Sequence, residues 1–291
     1  MKTNKHYEAG KFQWAFLLPK YWGIWIAISL LMIGAILPWS IQHRVANCLA
    51  KFAWKYLHSR RKTTLKNLMI CFPEKDAESL YKDGQEVFFN TMLGVFEALN
   101  AWYCPKWYEN RIHIHGIEHI KSAKGHGILL LGSHTTLLDA GGFISSRFFD
   151  LDVVYRPQNN PLLDMMITRC RASSYKHQIS KDDMKGLISS LKAGRAIWYS
   201  PDQDFGLKQG VMAPFFGVQA ATLTAHRRLI KIANAVAIPL FFYRTGDIKN
   251  PQYHILLEKQ LENFPTNDEI NDATRVNLIL ENLCTRQISQ N

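Results

Sequence analysis

The first 66 residues hold a single acidic side chain, Glu8, against eleven lysines and arginines. From Tyr21 to His43 there is no Asp, Glu, Lys or Arg. The chain also has no Cys-x-x-Cys pair: its five cysteines, Cys48, Cys71, Cys104, Cys170 and Cys284, are odd in number and widely spaced. That argues against a zinc knuckle, a redox dithiol and a disulfide framework, and suits a folded part in a reducing compartment. Gly-x-Gly-x-x-Gly, Walker and Gly-x-Ser-x-Gly patterns do not occur, nor does any internal repeat or low-complexity segment. With 47% hydrophobic and 20% charged residues in 291, the composition excludes a disordered chain and sets an upper bound of two domains.

The net charge of +11 is therefore unevenly placed. Beyond residue 66 the chain carries 24 basic and 23 acidic side chains, so that part is nearly neutral. A basic balance admits nucleic acid, an anionic membrane or an acidic protein as partner. Concentration of the charge beside an apolar run favours anionic headgroups. No nucleic-acid partner is expected, because the later strands are too apolar for a stacking, basic groove. Residues 156–208 keep a local excess, nine basic against five acidic, where a phosphorylated or acidic substrate would be felt.

The segment Ile24–Leu37 is almost wholly apolar, with Trp22 and Trp25 at one end and Trp39 at the other. About 20 helical residues span the ~30 Å hydrocarbon layer, and tryptophans favour its interfaces. The organisation read from this is a basic arm (1–20), a membrane-anchoring helix (21–43), a helical membrane-proximal segment (44–107) and an α/β domain (108–291). The heavier basic cluster, from Arg44 to Lys62, follows the apolar run and places the bulk of the chain in the cytoplasm. A helix lying obliquely in one leaflet is the alternative.

Within 42–58, Val45, Leu49, Phe52 and Tyr56 recur at helical spacing, and residues 76–103 read as a longer helix. Then strand signals begin. Ile112 and Ile114 alternate with His113 and His115, and apolar runs follow at 127–132, 151–155, 195–200 and 235–243. Helix-like stretches lie between them, at about 136–148, 160–171, 181–193 and 222–234. This alternation predicts βαβ units and a mainly parallel sheet flanked by helices. His113-x-His115 has no cysteine partners and reads as a surface or satisfied pair.

The strongest local pattern is Gly132-Ser133-His134-Thr135-Thr136-Leu137-Leu138-Asp139, after a buried strand and before a helix. In an unbroken helix, His134 and Asp139 would point ~140° apart. They meet only if His134 lies on the loop before the first turn, where Asp139 would fix the imidazole tautomer and stabilise the imidazolium. The carboxyl ends of parallel strands are where such sheets bind ligands. Arg156 ends the next strand in Tyr155-Arg156-Pro157-Gln158-Asn159-Asn160 and is a ready anion ligand; Arg169 and Arg171 follow on a helix. Asp202 and Asp204 end a third strand. They read either as a turn with local bonds or as a carboxylate pair lacking a third metal ligand.

These stretches together resemble the lysophospholipid acyltransferase superfamily, and in particular its late (secondary) lipid A acyltransferases, which add lauroyl or myristoyl chains. The carriers are His134-x4-Asp139, Asn67-Leu68-x-x-Cys71-Phe72-Pro73-Glu74, Tyr155-Arg156-Pro157 with Asn159-Asn160, and Thr168-Arg169-x-Arg171. They continue through Trp198-Tyr199-Ser200-Pro201-Asp202-Gln203-Asp204-Phe205-Gly206 and Ala213-Pro214-Phe215-Phe216. The resemblance implies a glycerolphosphate-acyltransferase-like fold. It implies acyl transfer from an acyl-carrier-protein thioester to a hydroxyl of a lipid A precursor of the Kdo-lipid IVA type, at the inner face of the inner membrane, with the protein single-pass or monotopic. It makes His134 the general base and Asp139 its orienting carboxylate. Arg156 would hold an acceptor phosphate, extended by Asn160, Arg169 and Arg171, with Asp202 and Asp204 also on the substrate side. No metal and no other cofactor is implied. The relatives continue into an aromatic and basic segment where this sequence ends at Asn291. The rival readings are an acyltransferase acting on a lysophospholipid, a thioesterase in which His134 activates water, and a basic membrane-tethered binding protein.

Overall fold

The computed structural model describes residues 10–204, 206–247 and 250–289. Residues 1–9 of the basic arm, Phe205 of the third strand-end motif, and the chain end at Asn291 lie outside the described residues.

Residues Trp14–Leu17 and Pro19–Tyr21 form two short 3-10 turns, and α1 (Trp22–Ile36) follows. Its composition is apolar on every side, and little of it is covered. Ile28, Gly34 and Ala35 are buried, while Trp22, Ile26, Leu30, Ile33 and Ile36 are exposed. The run Pro19–Ile36, 18 residues at mean hydropathy 1.4, is long and apolar enough to cross a membrane. The uncharged stretch continues to residue 43, but the helix stops at Ile36. Pro38 disfavours helical backbone in the residue before it, and Leu37 is extended (φ −69°, ψ 151°). Helix α2 (Trp39–Tyr56) starts immediately. The Gln42 side-chain amide fills the corner, donating to the carbonyls of Ala35 (3.0 Å) and Leu37 (2.9 Å) and pairing with the Asn100 amide.

Next come α3 (His58–Cys71), basic and without a buried residue, and α4 (Ala77–Tyr103), capped by Asp76, which accepts from the Ser79 amide at 2.7 Å. Helix α2 lays Trp39, Ala46, Ala50, Ala53 and Trp54 against Phe88, Leu93, Phe96 and Leu99 of α4. Its opposite side, Ile41, Val45, Leu49, Phe52 and Tyr56, is exposed.

The α/β part runs β1 (Ile112–His115), α5 (Ile117–Ser122), β2 (Ile128–Leu131), α6 (Leu138–Ser145), β3 (Leu151–Tyr155), α7 (Pro161–Ala172), β4 (Gln178–Ser180), α8 (Met184–Lys192) and β5 (Ala196–Tyr199). A hairpin of β6 (Gly210–Phe215) and β7 (Val218–Leu223) follows, then α9 (Ala225–Ala233), β8 (Val236–Thr245), β9 (Gln252–Leu257) and α10 (Glu269–Ser289). The seven-stranded sheet has the order β1-β9-β8-β2-β5-β3-β4. Only the β8–β9 pairing within it is antiparallel. The fold is thus the expected mainly parallel sheet flanked by helices.

The central strand β2 is buried at all four residues because both faces are covered. Leu129 and Leu131 join Leu187, Leu191, Leu229, Ile230, Val276 and Leu280 from α8, α9 and α10. Ile128 and Leu130 face the other way, toward Ala140, Phe143 and Ile144 of α6 and Trp198, Ile238 and Tyr253 of the sheet. The helical segment is joined to this core by α4. Gly94 sits so close to the Thr136 carbonyl that a Cβ there would collide with it.

Candidate active site

Strand β2 leaves the sheet through Gly132, whose amide still donates to the Tyr199 carbonyl of β5 at 3.1 Å. A side chain at Gly132 would run into the Trp198 indole nitrogen. Ser133, His134 and Thr135 then form a short loop before α6. The Ser133 and Thr135 hydroxyl oxygens are buried and have no hydrogen-bond partner among the described residues.

His134 is the exposed member of this loop, with 42% of its side chain accessible. Its ring Nδ1 lies 2.6 Å from Asp202 Oδ1, the geometry of an N–H donated to a carboxylate. Its backbone N–H donates to Asp202 Oδ2 at 2.7 Å. Asp202 follows β5, and its side chain is 18% exposed. Burial, together with the charge of Asp202, pushes the Cys284 thiol up to about 11. No described residue bonds Nε2 of His134.

The expected His134–Asp139 contact is replaced. Asp139 lies in the first turn of α6, and α7 brings Arg171 to it: Arg171 Nε and Nη2 both donate to Asp139 Oδ1, at 2.9 and 2.6 Å. The two partners are 14% and 25% exposed, Arg171 the less so. Asp202 reaches His134 instead because β2 and β5 are neighbours in the sheet. Asp204 does not join Asp202. Its Oδ1 accepts from the Gly206 amide at 2.6 Å, the local turn bond that its sequence context allows.

The residues expected around an acceptor phosphate separate in the same way. Arg156 projects past the end of β3, exposed, with no hydrogen bond or ion pair among the described residues. Asn160 caps α7, its Oδ1 accepting from the amides of Leu162 (3.0 Å) and Leu163 (3.3 Å). Arg169 Nε donates to the Gly10 carbonyl at 2.8 Å, tying the N-terminal stretch to α7, where Phe16 is buried against Leu162 and Met165. Arg171 is taken by Asp139. Asp164, which the sequence patterns do not single out, is buried and accepts from the Gln158 amide at 2.7 Å, holding the loop that carries Arg156. Its only sequence signal is an acid in the first turn of a helix. His113 and His115 lie on the exposed side of β1, bonded to Gln252 (2.9 Å) and His254 (3.2 Å). Among the described residues no three His, Cys, Asp or Glu side chains gather as a metal-ligand set.

The layout is that of an α/β protein with His134, Asp202 and Arg156 outside the carboxyl ends of parallel strands and an apolar helical platform beside them. The family follows from comparison with known proteins. The model described as "Bacterial lipid A biosynthesis acyltransferase" matches residues 9–290, and the chain belongs to that family of acyltransferases. It is 33% identical over 283 residues to the lipid A biosynthesis lauroyltransferase of Escherichia coli K12, covering 93% of this chain and 89% of that one. Against the palmitoleoyltransferase of the same organism it is 30% identical over 279 residues, with the same two coverages of 93% and 89%. Against the myristoyltransferase it is 27% identical over 282 residues, covering 95% and 86%. Among solved structures, the 1-acyl-sn-glycerophosphate acyltransferase of Thermotoga maritima aligns over 86% of this chain and 97% of that one, at 10% identity and a TM-score of 0.37. A likeness that weak transfers nothing.

Proposed function

We propose that this acyltransferase moves a fatty acyl chain from an acyl-carrier-protein thioester to a hydroxyl of a Kdo-bearing lipid A precursor, at the cytoplasmic face of the inner membrane. The observation that carries the reading is His134, exposed at the end of β2 with Nδ1 on a carboxylate and Nε2 unengaged among the described residues. In the proposed step Nε2 takes the proton of the acceptor hydroxyl. The oxygen attacks the thioester carbonyl, the tetrahedral intermediate collapses, and the carrier thiolate leaves and recovers the proton from the imidazolium. The products are an ester and a free carrier thiol. General-base assistance of this kind contributes roughly 10²–10⁴-fold.

Arg156 would hold a phosphate of the acceptor. Its free guanidinium fork suits phosphate oxygens, and it stands at the end of β3, one strand beyond β5. The uncovered surface of α1 and the outer stripe of α2 would enter the lipid, with Arg44, Lys51 and Lys55 reaching anionic headgroups. On this reading the site would stand beside the bilayer that delivers its acceptor.

The test is a product mass. Membranes containing the full chain are incubated with acyl-carrier-protein thioester and the Kdo-bearing precursor. One added acyl chain on the precursor, with release of carrier thiol only when precursor is present, is the expected result. Thiol release without precursor would mark a thioesterase, and acylation of an added lysophospholipid in preference to the precursor would move the acceptor class; either overturns the reading.

A further inference from the structure

We infer that Asp202 is the carboxylate that positions His134 for catalysis, and that Asp139 instead locks α6 to α7 through Arg171. The inference rests on the reading of His134 as the base, and it reassigns the group that orients it.

The topology supports it first. Strands β2 and β5 are adjacent and parallel, with Leu131 paired to Tyr199. His134 and Asp202 each lie three residues past that matched pair, so two loops leaving the same edge of the sheet bring them together. The contact is therefore set by the sheet register, not by a flexible side chain reaching across.

The hydrogen bonding supports it second. Both Asp202 oxygens are used on one residue, Oδ1 on the ring Nδ1 and Oδ2 on the backbone amide of His134. This double grip fixes the ring orientation and the loop together. It also keeps the proton on Nδ1, which leaves Nε2 as the basic nitrogen.

Charge supports it third. A carboxylate stabilises a neighbouring imidazolium by its negative charge. Asp139 has an arginine on one of its oxygens, through two N–H donors, so the pair it forms is close to neutral. Asp202 has no cation besides His134 among the described residues. The Asp139–Arg171 pair has a different consequence: it joins the helix that follows the His134 loop to the helix that follows the Arg156 loop.

The test uses the full chain in detergent or membranes and two matched substitutions, Asp202→Asn and Asp139→Asn. The first readout needs no activity. With ¹⁵N-labelled histidine, and with the His134 signals identified from their loss in His134→Gln, the ring shifts report which nitrogen carries the proton. Wild type is expected to show Nδ1–H. Asp202→Asn, whose amide can donate to Nδ1, is expected to move the population toward Nε2–H, while Asp139→Asn leaves it unchanged and lowers the unfolding temperature. The second readout is kinetic: Asp202→Asn is expected to lower kcat by about 10²–10⁴-fold with little change in KM, and Asp202→Glu to recover part of it. A tautomer change in Asp139→Asn, or none in Asp202→Asn, overturns the assignment. If the tautomer behaves as expected but His134→Gln keeps full activity, the positioning stands and the reading of His134 as base falls.

Discussion

Arg244, near the end of β8, donates through Nη1 to Oε1 of Glu97 in the C-terminal part of α4, at 2.5 Å, and Glu97 is fully buried. Tyr253 donates to the same oxygen at 3.0 Å, and Arg244 Nη2 donates to Asn90. This is the polar joint between the helical segment and the sheet. Removing one partner leaves a buried charge unpaired, at a cost of about 3–5 kcal/mol. Glu97→Leu and Arg244→Met are each expected to lower stability by that amount in denaturant unfolding, and the double substitution to lose less than their sum.

Gly94 tests how closely α4 supports the His134 loop. The Thr136 carbonyl occupies the space a Cβ would need. Gly94→Ala is expected to cost roughly 1–3 kcal/mol by overpacking and to lower kcat, since the displaced backbone is two residues from His134. Unchanged kinetics in a variant of unchanged stability would show that the approach has no effect on the site.

His226 supplies a pH test. It is buried in α9 with neither ring nitrogen bonded among the described residues, and burial holds its pKa down from 6.5 to about 4. The folded protein therefore keeps it neutral while the unfolded chain protonates it. Above pH ~6.5 it contributes no pH dependence; as the pH falls from there to ~4, stability drops by roughly 3 kcal/mol from this group. His226→Phe is expected to flatten the unfolding midpoint over that range. An unaltered acid slope would show that protonation of His226 does not drive the loss of stability.

The outer stripe of α2 tests the membrane reading. Leu49→Ser with Phe52→Ser removes exposed apolar surface on the side of α2 away from its packing against α4, so folding is expected to hold. Flotation with anionic vesicles is expected to weaken by about tenfold or more. Equal flotation would mean that this face is not in lipid.

Much of the fold was legible in the sequence because its signals are local. The glycine-bounded run before His134 became β2, the apolar stretches at 151–155 and 195–200 became β3 and β5, and Asp76 marked the start of α4. The uncharged apolar run continues past Ile36 while the helix does not, because hydropathy does not register what Pro38 does to Leu37. The hairpin β6–β7 was missed: its residues alternate poorly, and Pro214 sits inside it. The pairing of the candidate site residues was not legible. His134 and Asp139 are five apart, so a sequence reading joins them. Asp202 is 68 positions away, and only the adjacency of β2 and β5 brings it in. The cationic cluster dispersed for the same reason: Arg169 and Arg171 share a helix but are claimed by Gly10 and Asp139, contacts that no spacing announces.

The role proposed for His134 is that of base in the transfer of an acyl chain to a lipid A precursor. The most direct measurement is the rate of precursor mass gain by wild type and by His134→Ala, at equal amounts of folded protein and saturating acyl-carrier-protein thioester. A loss of roughly 10²–10⁴-fold is expected in His134→Ala. A variant that acylates the precursor at the wild-type rate would contradict that role.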